Sequence, residues 1–362
     1  MAQKALNIEQ LQEAIDSFEE TKTQKCPQGN ISEASRSLDM PAPTFRHRLR
    51  IAREEGFLPG PQMKEYEVPN LPTGEIPSEE LKETLKKRFI EKRKAHEARK
   101  WMKFKVNVEG PFGLVFIGDP HLDDNGCNWP LLDRDIELIK NTEALWSVGL
   151  GDYTNNWAGI LSQRVSPMQE VSRPQAWKLA EWFFGQKKPN GQSIHWLLIK
   201  GNHDMWADSR GLGDPLNWME HGAGPLEDWK AQFVAVCSNG REVPIYAAHN
   251  FQGHSFWHPG HGPLRKARLH GEAELYICGD KHTWQCIELE DPERPGRIFW
   301  AVRARGYKFM DEYALIHGYE EQQYGCSITA IIDPESSGTS AIRCFPDVEE
   351  AAEFLKFKRK GL

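Results

Sequence analysis

Nowhere in the 362 residues is there an apolar run near the roughly 20 that a membrane-spanning helix needs. Seven cysteines are scattered with no Cys-x-x-Cys pair, which argues against a zinc ribbon or a disulfide framework and fits a reducing compartment. No internal repeat is visible. Residues 1–20 form a polar helical pattern and do not read as a secretory leader. Neither sign of charge dominates: the net charge is −7, and mean hydropathy is −0.62. The balance is uneven, however. Residues 1–100 carry 18 Lys/Arg against 17 Asp/Glu, and the remainder carry 27 against 35. A water-soluble, cytoplasmic chain with no membrane partner is expected, with room for one large domain and a small one.

What the chain does have is four short segments that each follow an apolar run. They are Gly118-Asp119-Pro120-His121, Gly151-Asp152-Tyr153-Thr154-Asn155, Gly201-Asn202-His203-Asp204 and Gly279-Asp280-Lys281-His282. The runs before them, at residues 114–117, 145–148, 196–199 and 275–278, read as buried strands. A strand followed by glycine and then Asp, Asn or His delivers polar ligands to one rim of a sheet, which suits a two-metal hydrolytic site.

The first hundred residues read differently. Ile8, Leu11, Ala14, Ile15 and Phe18 predict an amphipathic helix over 7–21. Residues 31–38 and 44–55 predict two more helices, with a proline-bearing turn at 39–43 and a stop at Gly56. Ile31-Ser32-Glu33-Ala34-Ser35-Arg36-Ser37-Leu38 followed by Thr44-Phe45-Arg46-His47-Arg48-Leu49 resembles the helix-turn-helix of resolvase- and invertase-type DNA-binding domains. The resemblance implies Ala34 at the helix crossing and Leu38, Phe45 and Leu49 in the core. It implies DNA contacts from Arg46, His47, Arg48 and Arg50, with Arg53 beyond them. A three-helix packing or protein-interaction module fits the same residues. Residues 57–77, with five prolines, read as a linker, and Ser78 as the cap of a charged helix.

From residue 103 strands and helices alternate, with helices at 129–143 and 174–184. After Asp280 the chain reads as strand after strand (283–289, 297–302, 327–332, 339–345), then a last helix at 348–357. The fold class is α/β with α+β character: two packed sheets with helices outside. The expected domains are a helix-turn-helix domain at 1–57, a linker and charged helix at 58–102, and a catalytic domain at 103–362.

Asp-x-His, Gly-Asp, Gly-Asn-His-Asp, an isolated His and a final Gly-x-x-His, in that order over 112–283, resemble the calcineurin-like metallophosphoesterase superfamily. That resemblance implies a four-layer αββα sandwich and a dinuclear centre. Asp119, His121, Asp152 and His282 would serve one cation. Asp152, Asn202 and His249 would serve the other. His203 would stabilise the transition state or protonate the leaving oxygen, and Asp204 would fix its tautomer. The family has Gly-His-x-His in the last motif; Asp280 stands where its first histidine would. An oxygen ligand there tilts the site toward Mn²⁺, with Mg²⁺, Fe²⁺, Zn²⁺ or Ni²⁺ as alternatives. If Asp280 misses the metal, His254, His258 or His261 could replace it; a substrate-phosphate contact is the preferred role for His254. Of the 13 tryptophans, Trp129, Trp157, Trp206, Trp257 and Trp284 flank the motifs, as packing residues or as base-stacking platforms. Basic Arg164, Arg210, Arg265, Lys266 and Arg268 lie on nearby loops.

Two function classes follow from these residues. One is a metal-dependent phosphodiesterase acting on DNA, an exo- or endonuclease targeted by its N-terminal module. That combination is similar to phage or mobile-element proteins, which places it in a bacterial or phage-infected cytosol. The other is a phosphatase or phosphodiesterase acting on nucleotides, cyclic nucleotides or phosphoproteins. A non-catalytic DNA-binding adaptor is a third. Helix-turn-helix proteins often pair, so a homodimer is a further expectation.

Overall fold

Two compact units make up the chain, Met1–Glu83 and Thr84–Leu362. The computed structural model describes residues 7–23, 29–57, 76–158, 163, 169–206, 216, 224–255, 257–309 and 324–360. The proline-rich stretch read as a linker falls mostly on 58–75, outside the described residues, as do Arg164 and Arg210.

In the first unit, α1 (Ile8–Glu20) begins with a capping box. Asn7 accepts from the Gln10 amide at 2.8 Å, and the Gln10 side chain returns the bond. Asn30 caps α2 (Ile31–Ser37) by accepting from Ser32 and Glu33. The third helix, α3 (Ala42–Glu54), starts two residues earlier than the sequence reading placed it. Pro43 is the reason: its missing N–H and fixed φ suit the first turn of a helix, so it joins α3 and shortens the connection. Asp39, at φ 46°, reverses the chain between the two helices. Leu11, Ala14, Ile15, Phe18, Ala34, Phe45, Leu49 and Ala52 form one small buried core, with Leu38 packed against it. A long helix follows, α4 (Ser78–Ala98), with no buried residue; Ser78 is its first residue and not its cap.

The second unit holds two six-stranded sheets. The first contains β2 (Phe112–Ile117), β3 (Leu145–Gly149), β4 (His195–Lys200) and β5 (Leu226–Asp228), parallel and adjacent in that order. On the other side of β2 run β11 (Ser327–Ile332) and β12 (Ile342–Phe345), both antiparallel to their neighbours. The second sheet runs β1 (Met102–Lys105), β6 (Lys230–Val236), β7 (Glu242–Ala248), β8 (Leu275–Cys278), β10 (Ile298–Arg303) and β9 (Gln285–Glu290). Within it, β7, β8 and β10 are parallel. β2 and β3 are buried along their whole length, which is why they read as unbroken apolar runs.

A continuous core lies between the sheets. Leu114, Phe116, Val148, Leu197 and Ile199 of one sheet meet Phe233, Ile245, Leu275, Ile277 and Val302 of the other. Outside the first sheet pack α5 (Trp129–Asn141), α6 (Arg173–Phe184) and α9 (Val348–Lys358). Outside the second packs α8 (His261–His270), with Ala267 against Tyr246, Tyr276 and Phe299. The layering is helix, sheet, sheet, helix. Arg265, Lys266 and Arg268, expected on a loop, lie on α8, whose Pro263 sits in the first turn, where a helix tolerates it. Thr339 belongs to a 3-10 turn, so the last strand starts only at Ile342.

Candidate metal centre

Parallel neighbours end on the same side of a sheet. The loops after β2, β3 and β4 therefore leave one rim together, and the loops after β7 and β8 do the same in the second sheet. Ligands collect at such carboxyl ends in open α/β sheets. Each loop must turn at once. Asp119, His121, Asp152, Asp280 and His282 all take left-handed backbone, with φ between 43° and 71°. Non-glycine residues seldom do, and such strain concentrates at functional sites. The glycines serve close approach: a Cβ on Gly279 would overlap Asp119 Oδ2, and one on Gly201 would overlap Asp152 Oδ1.

The side chains converge in overlapping groups. Ligand atoms of Asp119, His121 and His282 lie within 4.8 Å of one another, as do those of Asp119, Asp152 and His249, and those of His121, Asp152 and His203. His249 Nδ1 meets the carbonyl oxygen of Leu150 at 2.9 Å, so that nitrogen carries the proton. Its Nε2 then faces only oxygens: Asn202 Oδ1 at 2.9 Å, Asp152 Oδ2 at 3.4 Å and Asp280 Oδ1 at 3.5 Å. A proton on Nε2 can satisfy these oxygens in the bare protein, and a cation taking its place would meet one nitrogen and three oxygens. Asp119 Oδ1 and His121 Nδ1 are buried with no hydrogen-bond partner among the described residues. Such orphaned atoms are what a cation would satisfy.

The titration behaviour agrees. Burial pushes the Asp119 carboxyl well above its usual range, and the charges of Asp152 and Asp280 add to that while His249 opposes it. Burial drives His121 well below the usual histidine range, helped by the Lys308 charge. Burial would raise Asp152, but His249 and His203 outweigh it and hold the carboxyl below normal. His249 is held well above normal against its own burial, chiefly by Asp152. Asp280 stays below normal despite burial because it pairs with His249 and with Lys281 Nζ at 2.7 Å. Of the three carboxylates only Asp119 is pushed up, and it is the one whose Oδ1 has no hydrogen-bond partner among the described residues.

Asp204 is placed differently from the expectation that it fixes His203. Its Oδ2 accepts the amides of Asp152 at 2.7 Å and Gly201 at 2.8 Å, and its Oδ1 accepts that of Tyr153 at 3.1 Å. The short helix α7 (Asn202–Met205) turns this carboxylate back into the loops and away from the imidazole. Burial, then the neighbouring Asp152 charge, raises its carboxyl to about 7. His203 Nδ1 donates instead to the carbonyl oxygen of Asn155, and its Nε2 lies 3.8 Å from Asp152 Oδ2. Trp206 packs on the ring at 4.1 Å between centroids and Trp157 at 5.1 Å.

Asn155 closes the second motif, but its partners Asp123 and Asp124, and Asn156 and Lys308, carried no sequence signal. Asn155 is anchored by Asp123, which accepts its amide at 2.7 Å, and by Asp124, which accepts its side-chain NH₂ at 2.7 Å. Buried Lys308 pairs with the same Asp124 at 2.9 Å. Asn156 donates to the carbonyl oxygen of His203. Among the predicted residues, His258 bonds Gln285 at 2.7 Å, and His254 lies exposed on the loop after β7. Trp129 packs on Trp182, while Trp257 is 90% exposed. Arg46, His47, Arg48 and Arg50 are all on α3 in the first unit. Arg46 and Arg50 are exposed, and Arg50 pairs with Glu54 at 2.8 Å.

No family model matches the chain, and no curated protein does. Solved structures do. Vps29 of Chaetomium thermophilum shares 13% identity, covering 65% of this chain and 96% of its own, at a TM-score of 0.29. GAP50 of Plasmodium, the anchor in the inner membrane complex, shares 10% over 66% and 90%, at 0.33. Vacuolar protein sorting 29 of Cryptosporidium parvum shares 11% over 66% and 100%, at 0.31. Likenesses of this size assign no activity and no ligand to the chain. No helix among the described residues is long and apolar enough to cross a membrane.

Proposed function

We propose that this chain is a metal-dependent phosphoesterase that holds two divalent cations at the shared rim and hydrolyses phosphodiester bonds, with DNA as its substrate. The carrying observation is Asp152, whose carboxylate belongs both to the group with Asp119 and His249 and to the group with His121 and His203. Asp119, His121, Asp152 and His282 would hold one cation; Asp152, Asn202, His249 and Asp280 would hold the other. The second set is one imidazole and three oxygens, a donor set that favours Mn²⁺ or Mg²⁺ over softer ions. Bound there, the pair would neutralise phosphoryl oxygens and activate a water for in-line attack. The order of motifs along the chain, similar to the calcineurin-like superfamily, supports the same reading.

His203 has the geometry for proton transfer. Its Nδ1–H is spent on Asn155, so Nε2 is the atom that faces the reacting region and would give its proton to the leaving oxygen. Asn156 and the Asp123–Asp124–Asn155 cluster keep the ring in that orientation. Asp204 braces the loops that carry Asp152 and Asn202.

The first unit would act as a helix-turn-helix, with α3 presenting Arg46, His47, Arg48, Arg50 and Arg53 to DNA. Its support is the sequence resemblance and the exposed arginines. Incubating the full chain with Mn²⁺ and end-labelled single- and double-stranded DNA, beside bis(p-nitrophenyl) phosphate, tests both halves. Cleavage of DNA that is lost in His203→Ala is the expected result. Hydrolysis of the small diester without DNA cleavage moves the substrate to nucleotide size, and no metal-dependent turnover of either removes the enzyme reading.

A further inference from the structure

Arg303 closes β10 and is fully buried. A buried guanidinium ordinarily meets a carboxylate. This one spends its fork on neutral oxygens. Its Nε donates to the carbonyl oxygen of Pro259 at 2.8 Å, and its Nη1 to the carbonyl oxygen of Gly279. Nη1 and Nη2 both reach Asn250 Oδ1, at 3.4 and 3.3 Å. Asn250 directly follows His249, and Gly279 directly precedes Asp280. The two loops are also joined by the Gly279 amide, which donates to the carbonyl oxygen of His249 at 2.9 Å.

We propose that Arg303 is a positioning residue for one half of the metal centre. Acting through Asn250 and Gly279, it fixes the spacing at which His249 and Asp280 reach the same cation. A planar, rigid fork with five donors suits this task, because it ties the two loops at three acceptors and set angles. Among the described residues none of its hydrogen bonds goes to the loops that carry Asp119, His121 or Asp152; of the first set only His282 shares a loop that it anchors. The inference rests on the two-cation reading and adds an asymmetry to it: loss of Arg303 loosens the second cation more than the first.

The test is a calorimetric Mn²⁺ titration of the full chain with low-temperature electron paramagnetic resonance of the same samples. Wild type is expected to bind two ions and to show a spin-coupled pair. In Arg303→Met the second ion should bind about 10- to 100-fold more weakly, the range for lost outer-shell support, with a smaller change at the first ion, and the spectrum should become that of isolated Mn²⁺. Arg303→Lys keeps the charge but cannot bridge three acceptors, so its second ion should bind with intermediate affinity. Asn250→Ala, at an exposed position, removes one anchor and gives the answer should Arg303→Met fail to fold; weakening of the second ion alone is expected. Two ions bound as in wild type by the folded variants would overturn the positioning role alone. Equal weakening of both ions would also overturn it, since that marks general support of the fold. A wild-type chain that takes up no Mn²⁺ would overturn the two-cation reading and this inference with it.

Discussion

The two units present their charged residues in opposite ways. At the sheet rim, Asp119, His121, Asp152, Asp204 and His249 are buried, strained or cross-linked, and each is held by atoms distant in sequence. On α3, Arg46, Arg50 and Arg53 project from a regular helix into solvent, and their placement follows from helical spacing alone. The first arrangement costs stability in the bare protein, because burial and like charge both oppose it. It persists only if the surrounding fold over-determines it. The second costs nothing and specifies little: an exposed arginine row serves any phosphate backbone. On the proposed reading the rim would meet a fixed small cluster of charge and the arginine row an extended one.

The largest effect should come from the rim. Asp152→Asn keeps the shape but removes the charge shared by two of the three groups, and should lower phosphodiester hydrolysis on the order of 10³-fold, about 4 kcal/mol in the barrier. Near-normal rates in this variant would break the contrast, since the rim would then be no more specific than the arginine row. Next is Phe45→Ala, in the small first core, expected to cost about 3 kcal/mol. Such a core has little to spare, so loss of helical signal and of DNA binding should accompany unchanged turnover of bis(p-nitrophenyl) phosphate. A matching loss of turnover would show that the units do not work separately.

How much of this was legible in the sequence follows the same division. The residues that meet at the rim were legible because each sits just past a strand, where chain order alone brings it there. The role of Asp204 was not. Adjacency to His203 implied a pair, but one turn of helix aims its carboxylate at Gly201, Asp152 and Tyr153. Asn155 holds the histidine from 48 residues away, and Arg303 reaches Asn250 across 53. No local pattern announces such contacts, since they exist only once the sheets pack. The start of α3 was obscured by proline, whose tolerance in a first helical turn offsets its reputation as a breaker.

Chelation sharpens the comparison from the other side. If bound cations relieve the repulsion among Asp119, Asp152 and Asp280, saturating Mn²⁺ at 100 times its dissociation constant should add about 2.7 kcal/mol to the stability of the second unit. In a unit of this size that is a rise of roughly 5–10 °C in Tm over the EDTA-treated chain. The near-ultraviolet signal, dominated by tryptophans of the second unit, should follow it. An unshifted transition would mean that the acidic cluster is satisfied without metal.

The smallest effect tests the arginine row. Arg46 is exposed on α3, and no partner among the described residues orients it, whereas Arg50 must first exchange Glu54 for phosphate. Arg46→Ala should therefore weaken DNA binding by about tenfold at low salt and reduce the slope of log affinity against log salt by about one. Arg50→Ala should cost less, because the wild-type residue gives up an ion pair on binding, although surface pairs of this kind contribute well under 1 kcal/mol. Both variants should leave hydrolysis of a small diester and Mn²⁺ uptake unchanged. A salt slope that does not move in either would remove α3 from the DNA contact, and the basic stretch of α4, with Lys86, Lys87, Arg88, Lys92, Arg93 and Lys94 on a helix without a buried residue, would become the surface to mutate next.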